Sequence, residues 1–437
     1  MRSPSPAFLA LLPVLAFGAE VSGQPGPPAN LGDLLRLAEA QSPAIRAAAA
    51  RLEAARSRPS QVGAPPDPEV SLSYLNDGVS RLTYGESEFS ALSLTWTQEV
   101  PYPGKRRRSA DAATFAVEGA GKVRELVRFR VRAAVITAYA DLHRLDRTLS
   151  ILTESHETLV SLEQSARRRY EVGDGTQESV LKAQTGILRL EAEMARVSED
   201  RHAAESRLNA AIGRAAGTPI GPAEAMPEAG FIGDDEALQE EAVAASPEIG
   251  ALAAAVRGGE ADVILARLEL KPDFIWSASY QNRDGLDPMV MGSFGLRLPL
   301  HRARKQGQAL REKESELVAA QQDLADLEAR TRGAVREITL RIRRAERLVG
   351  LFGQGIVPQA ASTLESAQAS YRSGRLGFLD ILNDLTALLE ARIDQVAQES
   401  ERLQALAALE PLLARELIRT SAGEAPAVTG GQNANHR

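Results

Sequence analysis

The stretch WTQEVPYPGKRRR, from Trp96 to Arg108, joins two sequence patterns that belong to different secondary structures. Before it, apolar and polar residues alternate, which is typical of a strand with one apolar and one polar face. Pro101 and Pro103 end this pattern, because proline donates no backbone hydrogen bond to a sheet. Gly104 then permits a turn into a long segment without proline. The stretch therefore predicts a joint between a small sheet and a long helix.

The plan around this joint occurs twice, about 200 residues apart. Each copy has a helix that opens at a Ser-Pro pair, two strand-like segments around a polar loop, and a long helical segment that turns at a YxxG motif. The matched positions are Ser42 and Ser246, Pro101 and Pro299, and Tyr170 and Tyr371. Matches that keep their order are not expected by chance, so the sequence predicts an internal duplication.

The chain is predicted to consist of two repeats, with one further segment at each end. Residues 1–23 combine an early arginine, a short apolar run and small residues, which is typical of a secretory signal peptide. Residues 24–218 are predicted to form the first repeat and residues 219–419 the second. Residues 420–437 are rich in Gly, Ala, Asn and Gln, and are predicted to form a disordered tail.

Four segments are predicted to be strands, two in each repeat. They are VSLSYL (70–75), ALSLTWTQE (91–99), FIWSASYQ (274–281) and FGLRLPL (294–300). Strands of about nine residues can cross a bilayer when tilted. Four strands cannot close a barrel, and lipid does not tolerate an open edge, so a membrane-spanning sheet requires several chains. A half-buried sheet in a soluble protein explains the alternation equally well.

The helical segments predict an elongated bundle. A single helix from Lys105 to Tyr170 would be about 100 Å long, which compact domains do not contain. Pro358 is expected to kink the corresponding helix of the second repeat. After the second YxxG motif, apolar residues recur at three- and four-residue steps, as in a coiled coil. They are Phe378, Leu382, Leu385, Leu389 and Val396. The predicted fold class is mainly α with a small β part.

The composition argues against several classes of function. The net charge of −7 provides no basic field for nucleic acid. The chain has no cysteine, which excludes disulfides and thiolate metal sites. No catalytic motif is present, and the histidines are too scattered to form a metal site; they are His143, His156, His202, His301 and His436. We therefore expect no enzyme activity, no cofactor and no bound metal.

The sequence resembles the TolC-type outer-membrane channels of Gram-negative bacteria over nearly the whole chain after the signal peptide. The resemblance rests on the two SPxI openings, TQEVPYPGKRR, YEVG and YRSGRLGFLDIL. It implies a homotrimer in which each chain contributes four strands to one transmembrane barrel, while the helices form an antiparallel coiled-coil tunnel through the periplasm. It also implies a periplasmic adaptor and an inner-membrane pump as partners. The QEVPYPGKR segment is most similar to the branch that exports heavy-metal ions.

Positive charge follows the joint in both repeats. Lys105 to Arg108 are predicted in the first helical turn, where positive charge opposes the helix dipole at a cost of a few tenths of a kcal/mol. Arg302, Arg304 and Lys305 repeat the arrangement. Outer-membrane phospholipid head groups are one predicted partner. A solvated charged surface is the alternative, and nucleic acid fits least well.

The resemblance also places functional residues at the second YxxG motif. Asp380 lies six residues after Gly374, where TolC-type channels have an aspartate that lines the narrow periplasmic entrance. A ring of such carboxylates would select cations. Asn383 stands where the family often has a second aspartate. Tyr371 and Arg375 are candidates for the network that holds the entrance closed. Helix packing is the alternative role for Tyr371, and stabilisation by the helix dipole is the alternative for Asp380.

The predicted function is a passive outer-membrane exit duct of a tripartite efflux system. A type I protein-secretion duct is the first alternative. A soluble periplasmic coiled-coil adaptor is the second, although it leaves four amphipathic strands unexplained. A hydrolase is disfavoured because no catalytic constellation is present.

Overall fold

The computed structural model describes residues 29–227 and 233–418 and is mainly helical, with one antiparallel sheet of four strands. In chain order the elements are α1 Leu31–Gln41, α2 Pro43–Gly63, β1 Glu69–Leu75, β2 Ala91–Val100, α3 Lys105–Glu171, α4 Gln177–Ile212, α5 Asp235–Ala245, α6 Pro247–Leu268, β3 Asp273–Asn282, β4 Met289–Arg297, α7 Gln306–Leu351, α8 Val357–Arg372 and α9 Phe378–Leu413. The predicted signal peptide, the predicted tail and His436 lie outside the described residues.

Each Ser-Pro pair opens a helix as predicted, and a further helix that was not predicted ends just before it. α1 ends before Ser42 and α2 begins at Pro43, and α5 and α6 repeat this at Ser246. Both serines have ψ near 120° rather than a helical value. Proline disfavours the helical conformation of the residue before it, yet is well accepted as the first residue of a helix.

The long helix of the first repeat is confirmed. α3 has 67 residues and is therefore about 100 Å long. Its N-cap is Gly104, whose φ of 98° is left-handed and favours glycine. Within the described residues, no helix is both long enough and apolar enough to cross a membrane.

The predicted interruption at Pro358 is also confirmed. α7 ends at Leu351, a π-helical turn covers Phe352–Ile356, and α8 begins at Val357. A proline inside a helix removes one backbone donor and displaces the carbonyl four residues earlier. The wider π turn can accommodate that displacement.

The sheet joins the two halves of the chain. Its order is β1-β2-β3-β4, and β2 pairs with β3 along nine residues, from Leu92 opposite Asn282 to Val100 opposite Phe274. The first three strands agree with the prediction within about two residues at each end. The prediction for β4 is wrong, because the strand begins at Met289 and ends at Arg297, before Pro299. Gly292 and Gly295 weaken the alternation on which the prediction rested.

Two apolar clusters hold the helices together. The central cluster contains Ile136, Tyr139, Leu208, Ile342 and Leu406, all at 2 % exposure or less. The second cluster lies where both helical hairpins turn, and it contains buried residues of the predicted coiled-coil seam. Its members include Leu159, Ala183, Leu364, Tyr371, Phe378, Ile381 and Leu385. The core is therefore helical, and the sheet stands apart from it.

Candidate functional site

The four-stranded sheet has one continuous apolar face. The register places these residues side by side across all four strands: Val70, Leu72, Tyr74, Leu92, Leu94, Trp96, Phe274, Trp276, Ala278, Tyr280, Val290, Gly292, Phe294 and Leu296. No helix among the described residues covers this face, and Leu72 and Val290 are 69 % and 80 % exposed. An apolar surface of this extent is stable only against an apolar medium or a partner.

The opposite face is mainly hydroxyl-bearing. It carries Ser71, Ser73, Ser93, Thr95, Thr97, Ser277, Ser279, Gln281 and Ser293, with Leu75, Ala91, Ile275, Met289 and Met291 as apolar members. Cross-strand hydrogen bonds link Thr95 to Ser279 at 3.1 Å and Ser277 to Ser293 at 2.7 Å. The sheet can therefore separate an apolar medium on one side from water on the other.

The backbone changes from sheet to helix at the predicted joint. β2 ends at Val100, Pro101 and Pro103 follow it, and Gly104 caps α3. Pro299 lies two residues beyond the end of β4. These positions agree with the predicted boundary between sheet and helices.

The lipid partner predicted for Lys105 is wrong. Its side chain is 6 % exposed, and its ammonium group lies 2.8 and 2.9 Å from the two carboxylate oxygens of Asp273. Glu269 is a second partner at 3.1 Å. Asp273 also accepts a hydrogen bond from the backbone N–H of Tyr102 at 2.7 Å. This carboxylate neutralises the unfavourable charge at the start of α3 and ties β3 to it.

Two of the other basic residues after the first joint also have contacts within the chain, whereas Arg107 is exposed and has no ion pair with a described residue. Arg106 donates two hydrogen bonds to the carbonyl oxygen of Gly63, and Arg108 pairs with Asp111 at 3.3 Å. In the second repeat, Arg302, Arg304 and Lys305 precede α7 instead of lying in its first turn as predicted. These three are exposed, and the described residues offer their side chains no ion pair.

The two helical hairpins are joined at their turns by one arginine. Arg169, near the end of α3, binds Asp174 in its own turn at 2.8 and 3.1 Å. It also donates to the carbonyl oxygen of Tyr371 at 2.9 Å, and its guanidinium lies 5.0 Å from the centre of that ring. Phe378 packs edge-on against Tyr371 at 6.0 Å. Arg169 was not predicted, although its place directly before Tyr170 of the first YxxG motif is a signal for it.

Burial affects the chemistry of Tyr371. The residue is 5 % exposed, and desolvation raises the pKa of its phenol, while the positive charge of Arg169 acts in the opposite direction. The phenol therefore stays neutral at physiological pH. Tyr371 both packs in the core, as the alternative reading holds, and contacts the other hairpin.

Asp380 and Asn383 lie on the exposed side of α9, one turn apart. Asp380 is in the first turn, near Gly377. Glu390 and Asp394 continue the same exposed face along α9. This acidic face is opposite the residues that enter the core, so its carboxylates are accessible to solutes.

The remaining candidates lie apart from this contact network. Arg375 is exposed and donates to the hydroxyl of Ser373 at 2.9 Å, not to Tyr371. In the first hairpin, Ser179 occupies the position that matches Asp380. Its neighbour Glu178 is paired with Lys182 at 2.6 Å. The carboxylate of the first hairpin, Glu178, is therefore neutralised, whereas Asp380 of the second hairpin has no ion pair with a described residue.

The described histidines lie on different parts of the chain. His143 is buried, and desolvation together with nearby Arg147 lowers its pKa. His156 contacts Glu191 at 3.3 Å, and His202 contacts Glu205 at 3.2 Å. Across the described residues, no group of three or more His, Asp or Glu side chains is arranged to hold a metal ion.

The sequence profile described as "Outer membrane efflux protein" matches residues 34–214 and 238–415. The chain belongs to the outer membrane efflux protein family. Members of this family are conduits rather than enzymes, and this protein is accordingly a TolC-like efflux channel with a helical tunnel. Comparison with curated protein sequences gives no significant match.

Several solved structures share the fold. The outer membrane protein VceC of Vibrio cholerae is 20% identical, with a TM-score of 0.74 over 88% of this chain and 95% of VceC. The CmeC outer membrane channel of Campylobacter jejuni is 14% identical, with a TM-score of 0.72 over 94% and 93%. The MtrE outer membrane channel of Neisseria gonorrhoeae is 17% identical, with a TM-score of 0.70 over 89% and 90%.

Proposed function

We propose that this efflux channel is the passive exit duct of a tripartite system. Three identical chains pool their sheets into one barrel of about twelve strands in the outer membrane. Their helices continue as a tunnel through the periplasm, where an adaptor protein connects them to an inner-membrane pump. The pump supplies the energy, and the duct supplies only a path. Residues 1–23 direct export.

The observation that carries the proposal is the two-faced sheet at the start of a 67-residue helix. The apolar face suits acyl chains and the hydroxyl face suits a water-filled lumen. A soluble periplasmic adaptor would leave the apolar face in water, which disfavours that alternative.

The repeated order of elements supports the predicted duplication and its repeat boundaries at residues 24–218 and 219–419. Each repeat supplies two helices, two strands and one helical hairpin. Pro101, Pro103, Gly104 and Pro299 form the joint at which barrel becomes tunnel.

We place the entrance of the tunnel at the hairpin turns. Asp380 forms a ring of three carboxylates there, with Asn383 one helical turn further along α9. Tyr371 and Arg375 belong to the closing network, and Arg169 is its central member because it touches both hairpins. Opening separates the two hairpins at this contact.

Cations are the solutes that this entrance favours, because the exposed face of α9 is acidic. Together with the QEVPYPGKR segment, this supports export of heavy-metal ions over a role in protein secretion. The pump makes the choice among cations.

Single-channel conductance in a planar bilayer tests the proposal. We expect small, stable steps in the wild type that La³⁺ blocks from the periplasmic side, and a block at least about tenfold weaker in Asp380→Ala, since a trivalent ion loses its carboxylate ring. Glu390→Ala, on the same face of α9 but further from the turn, is the matched control and should keep the block. Unaltered block in Asp380→Ala would remove this residue from the entrance. A folded protein that never inserts would refute the duct.

A further inference from the structure

The two joints differ in how their positive charge is satisfied. At the first joint, Lys105 and Arg106 are bound inside the chain. At the second joint, five basic side chains have no ion pair or side-chain hydrogen bond with any described residue. This joint basic cluster consists of Lys271, His301, Arg302, Arg304 and Lys305. Similar sequence thus gives one joint whose buried lysine is neutralised by carboxylates and another whose basic side chains have no ion pair with a described residue.

A cavity of about 650 Å³ lies beside this cluster, between α6, the end of β4 and the start of α7. Its wall is amphipathic. Leu265, Leu298 and Leu300 line one part, and Lys271 and Lys305 line another. Three carboxylates also line it: those of Asp273 and Glu269 contact Lys105, and that of Asp262 has no ion pair with a described residue.

The position of the cavity relates it to the apolar face of the sheet. Leu296 is the last member of that face on β4, and the cavity begins one residue later at Arg297. Leu298 and Leu300 extend the exposed apolar surface, at 53 % and 82 % exposure. In a membrane-inserted sheet, this is the depth at which acyl chains give way to head groups.

We propose that the joint basic cluster and its cavity bind an anionic phospholipid of the inner leaflet of the outer membrane. The phosphate lies against Lys271 and Lys305, Arg302 and Arg304 add attraction from the rim, and the upper acyl chain covers Leu298 and Leu300. Basic pockets beside a membrane-spanning surface are suited to such lipids, because charge and apolar contact act together. The inference rests on the proposed insertion of the sheet into the membrane.

Native mass spectrometry of the full-length channel in detergent tests this site. The probes are dioctanoyl-phosphatidylglycerol, dioctanoyl-phosphatidylcholine and glycerol phosphate. The cluster variant is Lys271→Gln/Arg302→Gln/Lys305→Gln. The matched control, Arg189→Gln/Arg336→Gln/Arg347→Gln, removes the same charge from exposed helix positions that have no ion pair with described residues.

We expect the wild type and the control to retain the phosphatidylglycerol about tenfold better than the phosphatidylcholine, and the cluster variant to lose this preference. A charge-preserving variant, Lys271→Arg/Lys305→Arg, should keep it, which separates lost charge from lost folding. Equal retention by the cluster variant and the control would overturn the proposal. So would glycerol phosphate binding as well as the lipid, which indicates a simple anion site. Absence of any bound lipid in the wild type would overturn it too.

The proposed lipid site and the proposed duct are tested by different experiments. Lipid retention is counted in detergent, whereas conductance is recorded in a bilayer. Silent bilayers for all variants refute the duct, and equal lipid retention in all variants refutes the lipid site. Wild-type conductance from the cluster variant, with its lipid preference lost, supports both.

Discussion

Arg169 shows how much one side chain can connect at the hairpin turns. Its guanidinium donates to a carboxylate of its own turn and to a backbone carbonyl of the other hairpin, and it stacks on an aromatic ring. Arginine suits this place because its planar group presents several donors in fixed directions and also stacks on aromatic rings. Tyr371 is held in turn by Phe378 and by burial. The contact between the two hairpins is therefore centred on a residue of the first hairpin.

Replacement of Arg169 by alanine should loosen the contact between the hairpins. We expect the free energy that holds the two hairpins together to fall by about 1–2 kcal/mol. The loss is no larger because Asp174 is largely exposed, so solvent screens its ion pair with Arg169. The channel should then open more often, and its mean conductance should rise several-fold in planar bilayers. Arg168→Ala removes the neighbouring exposed arginine and should leave conductance unchanged. An equal increase in conductance in both variants would show that the loss of any positive charge at the turn is sufficient, and that the contact between Arg169 and Tyr371 is not the cause.

At the scale of elements, the sheet is defined by the difference between its two faces. Every strand alternates between them, so a change of one residue along the chain moves a substitution from the apolar face to the hydroxyl face. This property allows a strict comparison within a single strand.

Leu72→Arg and Ser73→Arg place the same charge on opposite faces of β1. Leu72 belongs to the exposed apolar face, where arginine near the middle of a bilayer costs about 2–4 kcal/mol. Ser73 belongs to the hydroxyl face, where the charge remains in water. We therefore expect Leu72→Arg to reduce insertion into lipid vesicles strongly and Ser73→Arg to have little effect. Equal insertion of both variants would contradict a lipid-facing role for the apolar face.

The joint between sheet and helix depends on the buried pair of Lys105 and Asp273. Asp273→Asn keeps the acceptor for Tyr102 but leaves Lys105 with only Glu269 as a charged partner. We expect the free energy of unfolding to fall by about 2–3 kcal/mol, as measured by urea denaturation monitored by circular dichroism.

Two further variants test whether the buried charge of Lys105 causes this loss of stability. Adding Lys105→Met to Asp273→Asn should recover part of the loss, because the buried charge is then gone. Glu314→Gln breaks the exposed pair with Arg267 and should change stability by less than about 1 kcal/mol. A loss of similar size in Glu314→Gln would mean that the burial of Lys105 is not what matters.

At the scale of the whole molecule, the sheet is incomplete by itself. β1 and β4 each have one edge that pairs with no other described strand, and lipid does not tolerate open edges. In the proposed ring of copies both edges would be removed at once, because β4 of one copy would pair with β1 of the next.

Cysteine cross-linking can detect this closure, since the chain has no cysteine of its own. One cysteine in β1, at Ser71 or Ser73, is combined with one in β4, at Met291 or Ser293. We expect at least one combination to yield covalent dimers and trimers, and none larger, on non-reducing gels. Ser71→Cys with Thr95→Cys, which are opposite each other within one chain, should remain monomeric. Ladders beyond the trimer would contradict a ring of three.

Much of the architecture was predictable because it depends on local pattern. The bounds of α3, three of the four strands and the interruption at Pro358 follow from alternation, helical spacing and the backbone limits of proline and glycine. β4 was misplaced because its two glycines obscure the alternation. The first helix of each repeat was missed because a Ser-Pro pair both ends one helix and starts another.

The sequence by itself determined the types of element, their repetition and the position of the joint, since these depend on residues close together in the chain. Only the tertiary structure decided which charges are satisfied. Lys105 and Asp273 are 168 residues apart, and the contact of Arg169 with Tyr371 spans 202 residues. The basic segments after the two joints look alike in sequence, but only the first meets carboxylates of another element. Whether a buried charge is neutralised depends on what folding brings within about 4 Å of it, and local pattern carries no record of that distance.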